Sequence, residues 1–251
     1  MDRIERTRVK FEKLFGAAPA EGEGAEVEFM QILQRFIFGE VSYTGFLDDE
    51  MRELITVAVL TVNQTLPQLR AHIGASLRIG VRPIRIREAI YQCAPFIGFP
   101  KTLNAIETMK GVFAERDIAE EGESAKTVTE QTRYADGLAL QAPLYGTEIA
   151  DRYAWLPAPF AQALPRWLTE FAFGDFATRK GLQSKERELL IVVVLAALGG
   201  AETQVYAHVK GALSSGNTKE EIVAALVHAM PYMGMPRLFN ALNCSKELLK
   251  K

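Results

Sequence analysis

Apolar residues recur at three- and four-residue intervals along most of this chain, and no stretch sustains a two-residue alternation, so the pattern predicts helices and no sheet. Residues 3–15 have helical spacing and stop at Gly16, suited to the left-handed position that ends a helix. Residues 17–25, rich in Gly, Ala, Glu and Pro, read as a loop. Over 27–38, Phe29, Ile32, Leu33, Phe36 and Ile37 form an apolar stripe, and that helix ends at Gly39. Asp48 stands at the N-cap of a helix over 50–62, which is nearly all apolar after Glu53 and is therefore predicted to be a buried centre. Residues 63–66 break it. Pro67 suits the first turn of the next helix, which runs to about Arg78 and ends at Gly80. Helices over 84–93 and 101–116 follow, with Pro95, Gly98 and Pro100 between them.

The plan then returns, with helices over 132–144 and 164–173, a break at Gly199-Gly200, and a capping box, Thr218 with Glu221, opening a later helix. The return is visible in the residues themselves. Segments 52–106 and 187–242 share Arg-Glu-Leu (Arg52, Glu53, Leu54; Arg187, Glu188, Leu189) and Gln-x-x-Ala-His (Gln68, Ala71, His72; Gln204, Ala207, His208). A glycine follows (Gly80, Gly216), then Pro-aromatic-x-Gly-x-Pro (Pro95, Phe96, Gly98, Pro100; Pro231, Tyr232, Gly234, Pro236) and an asparagine (Asn104, Asn240). The offset is 135 at the glutamates and 136 from Gln68 onward, so the copies differ by one inserted residue. This is a tandem duplication in an all-α chain. Its expected organisation is a first repeat over 1–116, an acidic and polar linker over 117–130, and a second repeat over 131–251.

Composition changes this picture little. A net charge of −2 implies no field that would recruit nucleic acid or an anionic membrane. No apolar run is long enough to span a bilayer, and the charged N-terminus lacks a signal-peptide core, so a cytoplasmic protein is expected. The two cysteines, Cys93 and Cys244, fall at non-equivalent repeat positions, which argues against a disulfide framework.

The candidate chemistry lies in what both copies keep. Gln68 and His72 are four apart on one helix face, as are Gln204 and His208. Glu53 and Glu188 sit near the starts of apolar helices, where a carboxylate loses solvent. Together these groups can form an acid/base site. Two blander readings stay open: glutamates that serve the helix dipole or are neutralised by Arg52 and Arg187, and histidines that are satisfied core imidazoles in both copies. No second His or Cys stands at ligand spacing from either histidine, so no metal is expected. The Pro-aromatic turns shape backbone corners and are candidates to wall a pocket.

In order and spacing these motifs resemble the carboxymuconolactone decarboxylase family, twice, over about 27–116 and 162–251. The resemblance implies an AhpD-like helical fold whose units associate, commonly as hexamers, so that a trimer of these two-repeat chains is the expected homo-oligomer. The alkylhydroperoxidase branch of that family carries Cys-x-x-Cys-x-x-x-His. Here the cysteine positions are Thr65 and Gln68 in one copy and Ala201 and Gln204 in the other, which disfavours a thiol peroxidase. The decarboxylase branch works without a cofactor on a small carboxylated lactone. By that resemblance His72 or His208 is the acid, Glu53 or Glu188 its orienting partner, and Gln68 or Gln204 a donor to the lactone. Arg70 is then a carboxylate ligand whose place Tyr206 takes in the second copy, so the two sites are expected to be unequal. A carboxy-lyase acting on a small molecule is the leading reading; a non-catalytic binding or assembly module is the alternative.

Overall fold

The computed structural model describes residues 1–119, 122–146 and 149–250, and all their regular structure is helical. The first repeat comprises α1 (Arg3–Phe15), α2 (Ala25–Gly39), a short 3₁₀ turn (Val41–Tyr43), α3 (Asp49–Asn63), α4 (Leu66–Arg78), α5 (Pro83–Tyr91), α6 (Ala94–Ile97) and α7 (Phe99–Ala114). The second comprises α8 (Arg133–Tyr145), α9 (Ile149–Arg152), α10 (Phe160–Trp167), a π-helical segment (Leu168–Ala177), α11 (Ser184–Leu198), α12 (Glu202–Ser214), α13 (Lys219–Met233), α14 (Met235–Cys244) and α15 (Lys246–Leu249). The expected caps are in place. Gly16 ends α1 at φ 67°, Asp48 accepts from the Met51 N–H at 2.7 Å, and Thr218 with Glu221 forms the capping box of α13.

α3 and α11 are the paired centre of the molecule. Residues 52–62 of α3 and 187–197 of α11 are buried without interruption, as their apolar sequences require. A helix apolar all round needs cover on every side, and α3 obtains it across the repeat boundary, from α11 and α13. The repeats therefore are not two separate globules: most of their buried apolar residues form one continuous cluster, and a small second one packs around Leu14, Ile37 and Phe38. The 117–130 stretch is likewise not a loose tether. Ala125 and Val128 are buried, and the Lys180 N–H donates to Ala125 O at 2.9 Å; residues 120 and 121 lie outside the described residues.

Two equivalent crossings place the helix that closes each site. α1 crosses α2 at Gly39, where a Cβ would meet Thr7 Oγ1 and the Arg3 carbonyl. α8 crosses the π-helical segment at Gly174, where a Cβ would meet the Arg133 carbonyl. An ion pair fastens each: Arg3 to Glu40 at 2.8 Å, and Arg133 to Asp175 at 2.5 Å. The helix expected over 164–173 is thus present but changes winding, from α10 into a π-helical run of ten residues. π-helix is rare and is seen mostly as single turns near functional sites. Here its five-residue spacing turns Leu168 with Phe173, and Ala172 with Ala177, toward one cavity.

Candidate active site

The second repeat assembles the more open of two equivalent sites. The α11 residue Glu188, 4% exposed, holds His208 of α12, with Oε2 3.0 Å from Nδ1. α8 brings Tyr145 to the same point. Its hydroxyl donates to Glu188 Oε2 and lies 2.7 Å from His208 Nδ1. With the phenol O–H directed at the carboxylate, Nδ1–H is the donor that faces both oxygens, which fixes the tautomer and leaves Nε2 for other chemistry. Burial first, and then the Glu188 charge, raises the Tyr145 pKa, so the phenol stays protonated.

His208 and Glu188 line a cavity with about 70 Å³ of free space, room for several waters. Most of its wall is apolar, supplied by α8, the π-helical segment and Ile191. The first repeat completes it: Pro95 and Phe96, from the Pro-aromatic turn, and Gln92 all face this cavity, and the Phe96 ring lies 5.6 Å from that of His208. The turn thus walls a pocket, but the pocket of the other repeat.

The first-repeat site has the same plan and different residues. His72 Nδ1 lies 2.9 Å from Glu53 Oε2. Phe15 takes the place of Tyr145, and Tyr232, from the second repeat, takes that of Phe96. These two rings meet the His72 ring edge-on at 5.5 and 5.4 Å, and the His72 side chain is 8% exposed against 16% for His208. Burial and then the Glu53 charge raise the Tyr232 pKa.

The neighbouring arginines do not neutralise the glutamates beside them. Successive helix residues point about 100° apart, and each guanidinium turns away. Arg52 donates to the carbonyls of Thr44, Gly45 and Leu47 at 2.9–3.1 Å. Arg187 donates to the Arg179 carbonyl at 2.7 Å and to Glu88 at 3.0 Å, a fully buried carboxylate of the first repeat.

The third histidine, His228, is enclosed beside Arg52. Its Nδ1 lies 3.3 Å from Arg52 Nη1, and its Nε2 3.0 Å from the Arg52 carbonyl and 3.1 Å from Thr56 Oγ1. Burial, then the charge of Arg52, with smaller contributions from His72 and Lys10, pushes its pKa down to about 3. The unfolded chain therefore takes up a proton below pH ~6.5 that the folded chain refuses until about pH 3. Stability is fully present above about pH 6.5 and is lost as pH falls toward 3, with a limiting slope of about 1.4 kcal/mol per pH unit. Urea unfolding between about pH 6.5 and pH 4.5 should show this fall in wild type and a flatter one in His228→Gln. Parallel slopes would rule out the histidine as its source.

The remaining candidates lie elsewhere. Gln68, Gln204 and Tyr206 are on exposed faces, and neither Gln204 nor Tyr206 lines the cavity. Arg70 is exposed and paired with Glu115. The glutamines share a face with the histidines but sit one turn nearer the N-termini of α4 and α12, where that face is exposed. Cys93 is buried and its thiol pushed up to about 12, the opposite of a reactive thiolate. Tyr145 and Gln92 escaped the motif reading. The signal for Tyr145 was its place at the end of α8, before Gly146, as Phe15 stands before Gly16. The signal for Gln92 was its alignment with His228 at the 136-residue offset.

The profile of the Carboxymuconolactone decarboxylase family matches residues 28–110 and 162–247, most of the chain and both repeats. The chain belongs to this family. Among its relatives, the 4-carboxymuconolactone decarboxylase of Acinetobacter baylyi is 28% identical over 123 residues, 49% of this chain and 91% of that protein. The nitrosuccinic acid decarboxylase of Metarhizium robertsii is 28% identical over 109 residues, 43% of this chain and 76% of the relative. Peroxisomal protein 2 of Schizosaccharomyces pombe is 24% identical over 165 residues, 61% of this chain and 68% of that protein. Membership agrees with an all-helical chain, and two relatives bear decarboxylase names. Among the described residues no helix is long and apolar enough to cross a membrane.

Proposed function

We propose that this protein is a carboxy-lyase that decarboxylates a small carboxylic acid carrying its own electron sink, and that the cavity at Glu188, Tyr145 and His208 is where it does so. The observation that carries the reading is that hydrogen-bonded cluster, set in the wall of a largely apolar cavity. The substrates named for the two decarboxylase relatives, a carboxylated lactone and a nitro acid, share the needed chemistry. In each, the bond to CO2 can break with its electron pair passing into the lactone or the nitro group. CO2 leaves, and the resulting carbanion equivalent takes one proton.

Protonated His208 donates that proton from Nε2, and water later restores it. Glu188 stabilises the charged imidazole and fixes its orientation, while Tyr145 holds the carboxylate in place. An apolar wall opposes the localised charge of a carboxylate more than the dispersed charge of the transition state. The reading is tested by CO2 release from 4-carboxymuconolactone and from nitrosuccinate, with hydroperoxide consumption followed in parallel. Release from either acid with no hydroperoxide consumption is the expected result. Consumption of hydroperoxide without CO2 release would overturn it.

A further inference from the structure

Among the described residues, two buried donors on side chains that line this cavity have no partner: the Arg187 Nε–H and the amide nitrogen of Gln92. Arg187 is 2% exposed and Gln92 3%, and both residues line the cavity that holds His208. The amide orientation follows from chemistry. A guanidinium only donates, so Gln92 turns Oε1 toward Arg187 Nη1, at 3.4 Å, and its NH2 is left over. Buried donors without acceptors are costly and rare, and two on adjoining side chains await an acceptor that no described residue supplies. Charge points the same way. Arg187 and Arg179 share the single carboxylate of Glu88, so these three side chains carry one positive charge in excess, while the Glu188 carboxylate of the same wall is taken up by Tyr145 and His208.

The equivalent residues of the other site lack these vacancies. Arg52 Nε is bonded to the Leu47 carbonyl, and both ring nitrogens of His228, which stands where Gln92 does, have partners. Thr56, one of those partners, is replaced in the second repeat by Ile191.

We propose that Gln92 and Arg187 form an anion subsite that holds the carboxylate a substrate keeps, while His208 serves the carbon that loses CO2. The inference rests on the proposed decarboxylation for its substrate class. It gives the retained carboxylate of such a diacid its partners, and it makes the working site a product of both repeats, since Gln92 belongs to the first.

The probe is saturated muconolactone, a γ-lactone with an acetate side chain, which keeps the anchored carboxylate and has none to lose. Its binding and that of its methyl ester are measured by calorimetry on the full chain, in wild type, Gln92→Leu and His208→Asn. Wild type should prefer the acid. Gln92→Leu should lose about ten- to a hundredfold in acid affinity, with ester affinity unchanged, because a hydrogen bond to a charged group is lost. Its melting temperature should change little, because the lost acceptor for Arg187 Nη1, a long contact at 3.4 Å, is offset by removal of an unsatisfied donor; this separates a binding role from a structural one. His208→Asn should keep the preference for the acid. Equal affinity of wild type for acid and ester, no binding of the acid, or an unchanged acid affinity in Gln92→Leu would each overturn the subsite. If the acid preference depends on Gln92 while no diacid releases CO2, the subsite stands and the decarboxylase reading fails.

Discussion

Replacement of Glu88 by leucine is expected to destabilise the fold by about 3–5 kcal/mol, the usual cost of leaving a buried charge without its partner. Glu88 is fully buried and accepts from three donors at close to 3 Å: Arg179 Nε and Nη2, and Arg187 Nη2. Without it Arg187, 2% exposed, keeps among the described residues only carbonyl oxygens and the Gln92 amide oxygen, and burial already lowers its pKa while Glu88 raises it. The carboxylate also ties the repeats together, because it rides on α5 and its arginines belong to the second repeat. Glu12→Gln is the control. That pair, Arg8 with Glu12, is i,i+4 and half-exposed at 3.5 Å, and its loss should cost no more than about 0.5 kcal/mol. Urea unfolding of both variants makes the comparison. A Glu88→Leu loss no larger than the control's would show that Arg187 finds another counter-charge.

How much of this was legible in the sequence depends on the distance over which each feature is specified. Helices with local signals were readable almost to the residue: α1 from its stripe and Gly16, α3 from Asp48 and its unbroken apolar run, α13 from Thr218 and Glu221. The pairing of Glu53 with His72, and of Glu188 with His208, was within reach because duplication displayed both members twice. The fusion of the repeats was not, since nothing in the α3 sequence says which helix covers it. The exchange of walls was hidden for the same reason. Phe96 lies near its own repeat's residues in sequence and near His208 in space. The π winding of 168–177 replaces what reads as a continuing α-helix, and no residue there announces it. Gln68, Gln204, Arg70 and Tyr206 share helices with the histidines, but a shared helix does not settle depth, and the surface took them.

Loss of the second histidine should matter far more than loss of the first. His208→Asn removes the group proposed to protonate carbon, and turnover should fall by about a hundredfold or more, the usual range for general-acid catalysis. His72 has the same glutamate bond, but Phe15 and Tyr232 close on its ring and the Arg52–His228 cluster beside it has its hydrogen bonds filled from within the chain. His72→Asn should therefore leave turnover within about threefold of wild type, a change worth less than 1 kcal/mol. The decisive measurement is the initial rate of CO2 release from whichever of the two acids wild type consumes, for both single variants at equal concentrations of folded protein. A large loss in His208→Asn alone is the predicted result. Half-rates in both singles, with activity abolished only in the double variant, would contradict the claim that one working site per chain is built in the second repeat and completed by the first.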